Sequence, residues 1–300
     1  MPDRFRVTEM CQEGNVNNPS KPTSPADDCL QCGFTAVELV AVVATLSILA
    51  LLVLPVLAKE NDNSERATCL ANMKLITSAM SMYSTDNSDA LPHPTWGTDL
   101  TGADGWAYAT SNRGRSPHLP QNATAQGIAN CTSRAENSIQ FSNQVEFFMI
   151  GQLARFVEGY RVLICPTDSR ESQGIKGYAY LGRPVKVTSY CMSGSVGGYT
   201  GPKAGLLPNG RTFRTGEFLP TDIVFWEQNE SDPFYFNDAG SNPEAVGQVI
   251  TRRHGPANGS GASVIGRVGG SAESMNWSTF TSLQTRSSAP NDLLCGPGYR

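Results

Sequence analysis

The sequence predicts an α+β fold, with one long N-terminal helix packed on a mainly antiparallel β-sheet. Three observations carry this expectation. From Leu39 to Ala58 the chain runs twenty residues without a charge. Beyond it, Cys69, Met73, Ile76, Met80 and Tyr83 recur at spacings of 4, 3, 4 and 3, one apolar face of a helix. The remainder breaks into short apolar runs separated by Gly, Pro, Asn and Asp, as antiparallel connections are. A helix followed by strands is the order of an α+β domain.

Composition limits what the chain can do. Its 300 residues are 17% charged and 39% hydrophobic, which suits a water-soluble body of one or two domains. A formal charge of −4 and a pI near 5.5 give no basic footprint, so no nucleic-acid partner is expected. His93, His118 and His254 are the three histidines, too few for a multi-histidine metal centre.

Residues 1–33 read as a polar, proline-rich tail with no periodicity that could bury a core. Residues 34–58 form the first half of the helix, predicted to be transmembrane. At about 1.5 Å per residue, its uncharged run matches the hydrocarbon thickness of a bilayer. Glu38 stands at the start of this run, where a carboxylate is costly unless paired or held near the headgroups. Pro55 predicts a local bend near its end. Residues 59–88 form an amphipathic second half, with Arg66, Lys74 and Ser81 off the apolar face. "ENDNS" (60–64) is its weak spot, and "STDNSDALPHP" stops it.

Residues 89–300 make the head. Trp96 to Asn137 is loop-like, and "SIQFSNQVEFFMIGQLARFV" predicts a short surface helix with Phe141, Val145 and Phe148 inward. "YRVLICP", "KGYAYLG", "VKVTSYCMS", "DIVFWEQ", "VGQVITRR" and "ASVIGRV" then read as strands.

Gly33, then Phe34-Thr35, then Glu38-Leu39 opening an apolar run, resembles the class III signal of type IV prepilins and type II secretion pseudopilins. The resemblance implies a pilin-like fold and cleavage between Gly33 and Phe34 by a prepilin peptidase that also methylates the new amine. It also implies that Glu38 pairs, during assembly, with the terminal amine of a neighbouring subunit's Phe34. "CLANMKLITSAMSMYSTDN", "FVEGYRVLICPTD" and "VTSYCMSG" are similar to stretches of prepilin-like families abundant in planctomycetes and verrucomicrobia. Those families place Arg-His-Gly before a strand that ends Asp-Gly-His. Here Arg253-His254-Gly255 is present, but Val268 and Gly270 stand where that Asp and His would be.

Signatures of catalysis do not emerge from the sequence. It has no Walker loop, zincin helix or Gly-x-Ser-x-Gly elbow, since position 193 before Ser195 is serine. No enzymatic activity and no cofactor are expected. Removal of the leader, with its Cys11, Cys29 and Cys32, would leave Cys69, Cys131, Cys165, Cys191 and Cys295. Cys165 and Cys191 are a candidate disulfide, with buried thiols as the alternative. Major pseudopilins carry calcium near the end of the sheet, which makes Glu227, Asn229, Asp232 and Asp238 calcium candidates. The alternative there is a solvated acidic loop.

Two functions follow as expectations. The first is a structural subunit of a type IV pilus-like or secretion pseudopilus filament. It would sit in the inner membrane as a single-pass protein with its head outside the cytoplasm. Its partners would be the peptidase, other pilin-like subunits, the inner-membrane assembly machinery and the membrane itself. The alternative is an exported, membrane-anchored binding protein that uses Trp96, Trp106, Trp226 and Trp277 on its loops.

Overall fold

The structure, a computed structural model, describes residues 35–95, 103–125, 139–171, 182–202, 204–205, 207–208, 210–245, 247–248, 250–255, 261–286 and 290–300. The leader and both residues of the predicted processing bond, Gly33 and Phe34, lie outside them, as do Trp96 and Cys131. The chain divides into two compact units, Met1–Leu52 and Val53–Arg300.

Helix α1 spans Ala36–Asp86. Its backbone stays helical across Pro55 and residues 60–64, although the side chains of residues 53 and 55–62, Pro55 among them, lie outside the described residues. In the first unit the large apolar side chains from Val37 to Leu52 are exposed.

The transmembrane expectation is corrected here. Among the described residues no helix is long and apolar enough to cross a membrane. The single-pass inner-membrane anchor falls with it. The pilin-like fold class is corrected as well, because α1 is not apolar along its length and the remaining helices are short. What stands is an α+β fold with a five-stranded mixed sheet.

That sheet is built from β1 (Tyr190–Ser193), β2 (Ile223–Glu227), β3 (Gly240–Ser241), β4 (Ala262–Arg267) and β5 (Ala272–Asn276). The strand order is β3-β1-β2-β4-β5. The β1–β2, β2–β4 and β4–β5 pairs are antiparallel, and β1–β3 is parallel.

Each face of the sheet buries its own cluster. Tyr190, Met192 and Val264 join Cys69, Met73, Ile76, Ala79 and Met80 of α1. Cys191, Trp226 and Ile265 turn the other way, onto Phe280 of helix α4 (Trp277–Thr285). This is the two-residue alternation of strands buried on both sides. It is interrupted at the register shift between Ile223 and Phe225, where Val224 and Phe225 both reach the α1 side.

The α1 face read from spacing is buried at Cys69, Met73, Ile76 and Met80, with Tyr83 half-buried at its margin and Lys74 and Ser81 exposed. Helix α2 (Ile139–Met149) buries Phe141 and Phe148, but Gln144 and Phe147 turn inward and Val145 is half-buried.

Other expected strands differ. Residues 160–163 form a 3-10 helix leading into helix α3 (Pro166–Glu171), because a short apolar run alone does not fix its period. "VGQVITRR" contributes a single bridge, Ile250 to Gln228, in place of a strand. In "KGYAYLG" only Gly182 is among the described residues.

At Gly266 of β4, α1 approaches the sheet closely. A Cβ there would stand 2.8 Å from both Met73 Sδ and Thr77 Cγ2. Gly266→Ala is therefore expected to wedge helix from sheet and destabilise the fold by about 1–3 kcal/mol. Chemical denaturation checks this; an unchanged midpoint would mean that Met73 and Thr77 move aside freely.

Candidate functional site

At the start of α1, Thr35 and Glu38 form a reciprocal cap. The Thr35 N–H and hydroxyl donate to Glu38 Oε2 at 2.9 and 2.8 Å, and the Glu38 N–H donates to Thr35 Oγ1 at 3.3 Å. This is a capping box, and its Thr-x-x-Glu signature is visible in the sequence. Thr35 holds the Glu38 carboxyl below the usual carboxylate range. The acid at the head of an apolar segment thus has a local role that spacing to Gly33 alone does not suggest.

A second constellation lies between α1 and the sheet. Cys69 comes from the inner face of α1, Cys165 from the turn before α3, and Glu227 from the last position of β2. His254 follows Arg253 at a bridge to Ala262. Gly255 makes the turn after His254 with φ +114°, a conformation that favours glycine. One potential ligand atom from each of the four residues lies within 4.8 Å of every other, and all four residues are buried.

His254 Nε2 stands 3.6 Å from Cys165 Sγ and 3.1 Å from Glu227 Oε1. Glu227 Oε2 accepts from the Val264 N–H at 2.7 Å and from the Ser263 hydroxyl at 3.4 Å. Burial alone would raise the Glu227 carboxyl, but the bond to His254 and the charges of His254 and Arg253 outweigh it and hold the group ionised. Burial would likewise keep His254 neutral, yet Cys165 and Glu227 push its pKa up to about 10. Cys165 is brought down to about 6 despite its burial, chiefly by its hydrogen bond with Cys69, whose own thiol is raised by the same bond. A thiolate, an imidazole and a carboxylate in line are the parts of a nucleophilic relay. Here Cys165 and His254 are fully buried, so the sulfur has no surface for a substrate to approach.

Behind the cluster sits a buried ionic network. Asp168 accepts from Arg183 at 2.8 and 3.0 Å and from the Ser189 hydroxyl at 2.7 Å. Arg253 lies 3.5 Å from Asp168 and 3.2 Å from Glu230. Ser189 Oγ in turn accepts the Cys165 N–H at 3.1 Å. Desolvation opposes ionisation of Asp168, but the two arginines hold its carboxyl well below the usual range.

The predicted sites are placed differently. Cys165 and Cys191 are both buried free thiols and are not brought together: Cys165 faces Cys69, while Cys191 donates to Gln228 Oε1 at 2.9 Å on the opposite side of the sheet. The calcium candidates stand in different surroundings. Glu227 is in the cluster, Asn229 accepts from the Ser231 N–H, and Asp238 accepts from the Gly240 N–H. Asp232 is exposed. Trp106 and Trp226 are core residues, and Trp277 is covered by the Arg252 guanidinium at 3.7 Å, so the aromatic binding loops are not formed by these three. Ser195 lies in a buried 3-10 turn closed by Gly198 in the left-handed region.

No protein-family model, curated protein or solved structure matches this chain.

Removing Asp168 would leave Arg183 and Arg253 without their shared counter-charge. Asp168→Ala is expected to lose about 3–5 kcal/mol of stability. Asp86→Ala, which breaks an ion pair with side chains 53% and 62% exposed, should lose under about 1 kcal/mol. Equal losses in urea titrations would contradict the role given to the buried network.

Proposed function

We propose that this chain is a structural subunit that assembles with copies of itself through the first part of α1. One observation carries the reading: exposed apolar side chains occupy successive positions of the helix. Val37, Leu39, Val40, Val42, Val43, Leu46, Ile48, Leu49, Leu51 and Leu52 are all exposed. At 3.6 residues per turn, such positions fall on every face of the helix. A helix that is apolar all round is stable in water only when something covers it.

The polar residues of the segment do not change this. Thr45 Oγ1 donates to the Ala41 and Val42 carbonyls, and Ser47 Oγ to the Val43 carbonyl, so both hydroxyls are satisfied within the helix. Identical helices packed side by side would cover the segment from all directions. The resemblance of Gly33, Phe34 and Glu38 to the prepilin signal supports a filament built this way, with a prepilin peptidase as the processing partner. In that reading Glu38 has two functions: it caps its own helix and offers its charge to a neighbour's amine. The second sets the height at which one subunit stops against the next.

The test separates the two functions of Glu38. Val43→Cys places a thiol on the exposed segment, and oxidation in the expressing cell should give disulfide-linked dimers. Glu38→Gln keeps the capping box but removes the charge. It is expected to lower the dimer yield by about tenfold, the scale of one charge-assisted contact. Val43→Cys protein that stays monomeric would overturn the assembly reading. Undiminished crosslinking in Glu38→Gln would leave Glu38 as a cap alone.

A further inference from the structure

We propose that Cys69, Cys165, Glu227 and His254 form a tetrahedral zinc site that fastens α1 to the sheet. The donor set is two sulfurs, one imidazole nitrogen and one carboxylate oxygen, all of them zinc ligand types. Two sulfurs select against calcium and magnesium, which take oxygen.

Two separations match that geometry, and every other pair of ligand atoms lies within 4.8 Å. Around zinc, with bonds of about 2.3 Å to sulfur and about 2.05 Å to nitrogen or oxygen, a tetrahedron has S···N edges of about 3.6 Å and N···O edges of about 3.3 Å. The Cys165 Sγ···His254 Nε2 separation is 3.6 Å and the His254 Nε2···Glu227 Oε1 separation is 3.1 Å. The same nitrogen, Nε2, faces both the sulfur and the carboxylate. One N–H cannot point along both directions, whereas a cation at the centre of the four atoms satisfies both at once.

Supporting contacts of the kind that orient metal ligands are also present. The second oxygen of Glu227 is held by Val264 and Ser263, and the backbone of Cys165 is held by Ser189. The buried Tyr190 hydroxyl lies beside the Cys69 sulfur, and the groups that act on it also include Glu227 and Cys165. It is placed to donate to a thiolate at Cys69. Two thiolates and a carboxylate carry one negative charge more than zinc neutralises. Arg253, with Nε and Nη1 unpartnered, supplies positive charge beside Cys165 and Glu227. On loading, the proton on Cys69 and the proton held between Cys165 and His254 leave to solvent, and no oxidation state changes. All four residues are buried, so such a site closes on itself, as structural zinc sites do.

The test uses the full chain, purified without chelator, with zinc measured by plasma mass spectrometry. The expected result is about one zinc per chain, falling at least about tenfold in Cys165→Ser and in His254→Ala. Cys295→Ser, a buried free thiol outside the cluster, should retain it. Should the ligand variants fail to fold, the unaltered chain still decides. Exchange of zinc for cobalt should give the intense visible bands of a tetrahedral ion together with a thiolate charge-transfer band. A zinc-free protein that takes up no cobalt would overturn the proposal. So would a Cys69–Cys165 disulfide found by mass spectrometry of the non-reduced chain.

Discussion

Taking ionisable groups out of water is the constraint around which this molecule is organised. Glu227, His254, Asp168, Arg183 and Arg253 are all buried, and each would be costly there alone. They are tolerable because the fold delivers opposite charges to one place from separate elements. β2 ends on Glu227, the segment before β4 brings Arg253 and His254, and α3 brings Asp168. Cys69 ties α1 to the same point. A change in any of these elements leaves an uncompensated charge in the others, so helix, sheet and connecting segments are energetically joined through the cluster.

The two parts of α1 meet opposite demands. From Cys69 to Met80 the inner face is matched by the sheet, down to the missing side chain at Gly266 that lets Met73 and Thr77 approach. Between Val37 and Leu52 the apolar surface is continuous around the helix and exposed. Packing explains the second unit without reference to any partner. The first unit makes physical sense as part of something larger, and that difference is the basis of the assembly reading.

The sequence was most legible where burial imposes a period. The 69, 73, 76, 80, 83 pattern could be read because one face of α1 lies on a sheet. Strands β2 and β4 were visible because both of their faces are buried, so their apolar runs stand out. β5 was not, because "AESMN" is a largely exposed edge strand in which Met275 alone is buried. β3 has two residues, too few for any pattern, and its parallel pairing makes the sheet mixed. The Thr35–Glu38 cap is written in the sequence as Thr-x-x-Glu, but Glu38 was read there only as an acid heading an apolar run. The cluster was not legible, because its four members come from four distant segments and share no spacing. Cys69, Cys165 and His254 each stood in a familiar string ("CLANMKLITSAMSMYSTDN", "FVEGYRVLICPTD" and Arg253-His254-Gly255), but nothing in those strings joins them. Glu227 read as a loop acid, although the strand alternation through Phe225 and Trp226 turns it toward α1.

Native-state hydrogen exchange tests most directly whether the buried cluster joins α1 to the sheet. The account predicts that amides of Met73 to Met80 exchange through the same opening as those of Phe225 to Glu227 and Val264 to Gly266, with one common free energy as denaturant is raised. Exchange of the α1 amides at distinctly lower free energy, while β2 and β4 remain protected, would contradict it.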